Sequence, residues 1–216
     1  KAEVELIKAW LETGASFEKT LGQSDISIEL VSDFFVSNEI SIYPEVQLEP
    51  LKEEILKELK GKGFFIERLS AASPLLKVST INFPEAENQD LKSLEPIIAY
   101  ITILDLSGSK TTDEIFPLLG KMENLTVLKL NETDIEGRNF DMLKENAHLI
   151  QLHLTKSQVN GNNLWKLDSH PSLQKVFAYD TPSANEINSD IIKKLSFRVE
   201  LGNFELPSLP TDKVKY

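Results

Sequence analysis

The sequence predicts an α/β leucine-rich repeat solenoid of about five units. Three observations point there. The apolar signature L-x-x-L-x-L-x-x-[ST] occurs four times, opening at Ile101, Leu125, Leu149 and Leu173. The step between openings is 24 residues each time, within the roughly 20–29 residues of such repeats. A second apolar pair follows in each unit, three or four residues apart, one helical turn. Those pairs are Ile115 with Leu118, Phe140 with Leu143, Leu164 with Leu167, and Ile187 with Ile191. No unit can bury its own apolar face, whereas a stack of units makes one continuous core.

Composition narrows the function classes. Lys and Arg number 23 against 34 Asp and Glu, a formal net charge of −11. A surface this acidic repels phosphate backbones and anionic lipid, which argues against nucleic-acid or membrane-surface binding. The chain has no cysteine. Disulfides, thiolate metal sites and cysteine nucleophiles are therefore excluded within it, as is haem attachment through C-x-x-C-H. No apolar run reaches 18 residues, so no segment reads as a membrane span. No signal peptide is visible at Lys1.

Four regions follow. Residues 1–38 read as a helical segment, with Val4, Ile7 and Leu11 on one apolar face beside Leu6 and Trp10. Gly14 is the stop, and a second helix is expected near Ser24–Val36. The chain thus opens on a helix already under way, as a fragment of a longer protein would. Residues 39–76 read as an irregular cap. It has an extended stretch with Pro44, an amphipathic helix over Leu51–Lys60, and a strand over Phe64–Leu69. Repeats occupy 77–200, the first a degenerate unit with its triplet at Val78, Ile81 and Phe83. Residues 201–216 read as a C-terminal cover and tail.

The stretch E-V-E-L-I-K-A-W-L-E-T-G-A-S-F (3–17) resembles the closing helix of a bacterial c-type cytochrome domain of the planctomycete type. K-G-K-G-F-F-I-E-R-L-S-A-A-S-P-L-L-K-V (60–78) and the repeats after it extend that resemblance over nearly the full length. The whole is similar to the C-terminal leucine-rich repeat region of membrane-associated envelope proteins of Bacteroidetes and relatives. Those join a membrane domain, a cytochrome domain and a repeat tail. The resemblance implies a periplasmic, cell-envelope setting, with anchoring segments and haem in upstream parts of the parent protein. This chain departs from the cytochrome pattern at the decisive point, because C-x-x-C-H is missing and neither Met122 nor Met142 lies where an axial ligand belongs. No cofactor is expected in the chain itself.

The candidate site is the exposed side of the repeat strands, at positions 2, 4 and 6 after each opening. It comprises Asp105, Lys129, Asn131, Gln151, His153, Lys175, Phe177 and Tyr179. Aromatic residues beside a cation are enriched at protein interfaces; burial under the C-terminal segment, against Phe204, is the competing reading for Phe177 and Tyr179. The hydroxyls at position 8 (Ser109, Thr133, Ser157, Thr181) read as a structural ladder bonding the turn after each strand. His148, His153 and His170 read as ordinary surface or loop histidines, and Glu85–Asp90 as a solvated acidic turn without calcium-loop spacing. Asn124 and Asn131 open glycosylation-type triplets that coincide with repeat positions.

Three functions stay open at this level. One is a non-catalytic module binding another protein or a surface polymer. The second is a structural module packing on its own cytochrome domain or on a second copy. The third, ranked last, is a carbohydrate-active enzyme, since only Asp105 is acidic among the twelve face positions.

Overall fold

The structure, a computed structural model, describes residues 2–17, 20, 23–24, 26–27, 42–70, 73–187 and 189–202. The chain divides into two compact units, Lys1–Ile42 and Tyr43–Tyr216.

In the first unit, helix α1 spans Ala2–Glu12. It stops at Gly14, where φ is +95° and a side chain would be strained. The Trp10 indole N–H donates to the Ser16 carbonyl at 3.1 Å, and its ring meets Phe17 edge-on at 4.8 Å. On its apolar face Val4, Ile7 and Leu11 are each more than half exposed. The helix expected near Ser24–Val36 lies largely outside the described residues.

The second unit is a mixed α/β structure built on an open seven-stranded sheet in sequence order. Helix α2 (Glu53–Gly61) begins two residues later than the pattern suggested, and it buries Leu56 and Leu59. Strand β1 (Phe65–Arg68) pairs antiparallel with β2 (Leu76–Ser79). From there every pairing is parallel: β2 to β3 (Ile101–Asp105), β4 (Val127–Lys129), β5 (Gln151–His153), β6 (Lys175–Phe177) and β7 (Arg198–Glu200).

Sequence spacing sets the register. Ile103, Val127, Gln151 and Lys175 are mutual partners along the sheet. The last step shortens by one residue, because Lys175 pairs with Arg198. The first step lengthens. Leu76 pairs with Ile101, but a bulge follows and Val78 pairs with Leu104. This corrects the degenerate unit. Its inward residues are Leu75, Leu76, Val78 and Thr80, all buried, whereas Ile81 is 72% exposed.

The core lies between the strands and short helical returns. Leu104, Leu128, Leu152 and Val176 line the strand side. Phe116, Phe140 and Leu164 meet them from the returns, each followed three residues on by Leu119, Leu143 or Leu167. The equivalent pair in the first regular unit is thus Phe116 with Leu119, although the expected Ile115 and Leu118 are also buried. Ile187 is buried; the Ile191 side chain lies outside the described residues.

Candidate functional site

The turn leaving each strand repeats one backbone conformation. Gly108, Glu132, Lys156 and Asp180 occupy the same place, and their φ values are +72°, +54°, +58° and +54°. Only the first is glycine, and a non-glycine residue in the left-handed region costs about 1–2 kcal/mol. Cross-unit bonds hold the turn there: the N–H of Glu132 donates to the Thr155 carbonyl at 2.8 Å, and that of Lys156 to Tyr179 at 2.9 Å. One residue further, the buried hydroxyls of Ser109, Thr133 and Thr181 donate to the carbonyl three residues back at 2.7, 2.7 and 2.9 Å. Ser157 holds the same place without a side-chain partner. The expected hydroxyl ladder is therefore made at three of its four positions.

These turns fix what the strands present. Two rows of side chains run across the sheet, opposite to the core. One holds Glu67, Lys77, Ile103, Val127, Gln151, Lys175 and Arg198; the other Phe65, Ser79, Asp105, Lys129, His153, Phe177 and Glu200. They carry four cations and three carboxylates, a net of +1, on a chain of net charge −11. The acidic surplus lies elsewhere.

Neighbours tie most of these groups together. Lys129 Nζ is 3.3 Å from Asp105 Oδ2. Asn131 donates to the Ser107 hydroxyl at 3.1 Å and accepts from the Thr155 N–H at 2.9 Å, so it serves as a strut between units. The His153 and Phe177 rings stack, 4.3 Å between centroids and 18° between planes. Lys175 Nζ sits over the Phe177 ring, 4.5 Å from its centroid, and 3.5 Å from Glu200. Arg198 reaches the same carboxylate at 2.8 Å. Burial first, then the Lys129 ammonium, hold His153 below the ordinary histidine pKa, against the pull of Asp105. Tyr179 is half exposed. One side of its ring rests on Gly202, where an added Cβ would run into the ring. Phe204, the alternative cover for these aromatics, lies outside the described residues.

Other candidates resolve into structural roles. His170, read from sequence as a surface or loop histidine, is only 6% exposed. Its Nε2–H donates to the Leu143 carbonyl at 2.8 Å, and Nδ1 accepts from the Leu173 N–H at 3.1 Å. Asn146 fills the equivalent place one unit earlier, donating to Leu119 and Met122 at 2.8 and 2.9 Å. The acidic turn is likewise engaged. Asp90 caps the Glu87 N–H at 2.9 Å, and Glu85 pairs with Lys110. The glycosylation-type triplet at Asn124 has its Thr126 fully buried. No cluster of three or more His, Asp or Glu among the described residues is placed to hold a metal. No helix among them is long and apolar enough to cross a membrane.

No family model matches the chain, and no curated protein does either. Function must therefore be argued from the geometry.

The buried His170 carries a pH prediction. Burial lowers its folded-state pKa, outweighing the Leu143 carbonyl that favours the charged ring. The unfolded value is about 6.5. Stability from this group is complete above that pH and is lost as the pH falls from there toward the folded value. His153 acts in the same direction. Denaturant midpoints should fall between about pH 7.5 and 5. His170→Asn, which copies Asn146, should keep the bond to Leu143 and flatten that slope. An unchanged slope would show that His170 does not titrate on unfolding.

Proposed function

We propose that this chain is a leucine-rich repeat module without catalytic activity, which binds another protein through its strand face. The supporting observation is that face: two rows of ordered side chains, net positive, on a chain otherwise strongly acidic. The 24-residue register of β3 to β6 supports the solenoid reading. The resemblance of residues 3–17 and 60–78 supports a cell-envelope, periplasmic setting beside a c-type cytochrome domain of the parent protein. On this reading α1 belongs with that domain, and its exposed Val4, Ile7 and Leu11 are the stripe the domain would cover. That is also the observation favouring the second reading, a module that packs on its own cytochrome domain.

A carbohydrate-active enzyme fits least. Two of the three face carboxylates are held in ion pairs, Asp105 by Lys129 and Glu200 by Lys175 and Arg198. A general acid or nucleophile needs a carboxyl free to reach substrate.

The test places a photo-crosslinking residue at Gln151, in the middle of the face, and in a second variant at the exposed Glu123 outside it. In intact cells the first should give a discrete protein adduct and the second none. Absence of an adduct at Gln151, or equal adducts at both, would overturn the strand-face reading.

A further inference from the structure

The strand face ends in an open groove of about 400 Å³, lined by Thr155, Lys175, Phe177, Tyr179, Glu200 and Gly202. We propose that this groove binds an acidic peptide segment of a partner protein, one that sets an aromatic or branched apolar side chain beside its carboxylates. The inference rests on the strand-face reading and names the chemistry of its partner.

Charge comes first. Lys175 and Arg198 share the single carboxylate of Glu200, at 3.5 and 2.8 Å. One anion between two cations leaves a unit of positive charge on this cluster, of which Lys175 and Glu200 line the groove and Arg198 stands next to them, outside its lining. Glu200 is largely covered and already doubly paired, so it has little to offer a cationic ligand, whereas the Arg198 side chain is 72% exposed and open to an anion. The rest of the chain is acidic, and repels an acidic partner from other approaches.

Shape comes second. The Phe177 ring is stacked on by His153 and carries the Lys175 ammonium over it. It is thus wall, not platform. Tyr179 has one ring side on Gly202 and is half exposed, which leaves an aromatic surface for a partner side chain. Lys175 is already positioned by Phe177 and Glu200, so binding orders little that is not ordered beforehand. Tyrosine and arginine are each among the residue types that most often dominate protein interfaces.

The experiment measures binding of the full chain to a glutamate–tyrosine copolymer, polyglutamate, polylysine and polygalacturonate, at low and moderate salt. The copolymer should bind best and polyglutamate more weakly, both weakening with salt, and polylysine not at all. Tyr179→Ala should remove the copolymer's advantage, a loss of about tenfold. Arg198→Ala should weaken both glutamate polymers, by up to about fivefold for an exposed charge. Both side chains are exposed, so the fold should be unaffected; circular dichroism checks this. Failure of both glutamate polymers to bind, or binding indifferent to both substitutions, would overturn the proposal. So would tighter binding of polygalacturonate, which would assign the groove to an acidic carbohydrate. If the polymers fail while Gln151 still gives its discrete adduct, the groove proposal falls and the strand-face reading stands.

Discussion

Phe140→Ala should destabilise the second unit by about 3–5 kcal/mol, the range for emptying a buried phenylalanine site. Phe140 is fully buried, and its ring meets Phe116 edge-on at 5.4 Å and 88°. The site has little room to collapse. On one side is Gly137, where φ is +81° and an added Cβ would lie 2.6 Å from the Phe140 ring. On the other are strands whose spacing the parallel ladder sets. For a unit of this size each kcal/mol lowers Tm by about 2–4 °C, so thermal unfolding should begin at least about 6 °C earlier. Phe140→Leu should cost less, because Leu164 fills the same place one unit on. A double-mutant cycle with Phe116→Ala should show about 0.5–1.5 kcal/mol of coupling from the ring pair. A loss below about 1 kcal/mol for the alanine variant would mean that neighbouring units relax into the space.

The second large effect is expected at Asp113, whose carboxylate is largely buried. It accepts three backbone N–H groups from the next unit: Glu136 at 3.1 Å, Gly137 at 2.8 Å and Arg138 at 3.2 Å. Asp113→Ala leaves all three without an acceptor, at about 1–3 kcal/mol for each that water fails to reach. A total of about 3 kcal/mol is expected, with faster amide exchange confined first to residues 136–138. Asp113→Asn keeps one acceptor oxygen and should lose about half as much. Unchanged exchange at 136–138 in the alanine variant would show that the turn is held by its other contacts, such as the Asn139 amide on the Asp113 carbonyl.

The two sites differ in how far sequence reveals them. Phe140 is legible: it stands at a repeated apolar position, and its burial follows from that alone. Asp113 is not. Its equivalents one and two units on are Gly137 and Gly161, so no column of like residues marks it. The same holds for Asn146 and His170, which continue a column opened by the apolar Ile98 and Met122. Buried Ala86, Thr111, Ile135, Val159 and Ser183 form another column, whose apolar members were available to a reading by period. The candidate face was legible as a set of positions. That Asn131 would strut the turns, and that His153 and Phe177 would stack, was not.

The repeat length and the inward residues are legible in the chain alone, because both are local. Alternation along a strand and the turn of a helix assign each side chain a direction within a few residues. Equal spacing between units then sets which residues become neighbours on adjacent strands. Where polar groups find partners depends instead on how the units stack. Those partners lie about one repeat away in sequence: Asp113 with Gly137, Asn131 with Thr155, Lys175 with Glu200. A one-residue change in spacing redirects them, as the shortened last step brings Arg198 beside Lys175. Hydrogen bonds and ion pairs act over about 3–4 Å, so they register such a shift where hydrophobic burial, which has no direction, does not.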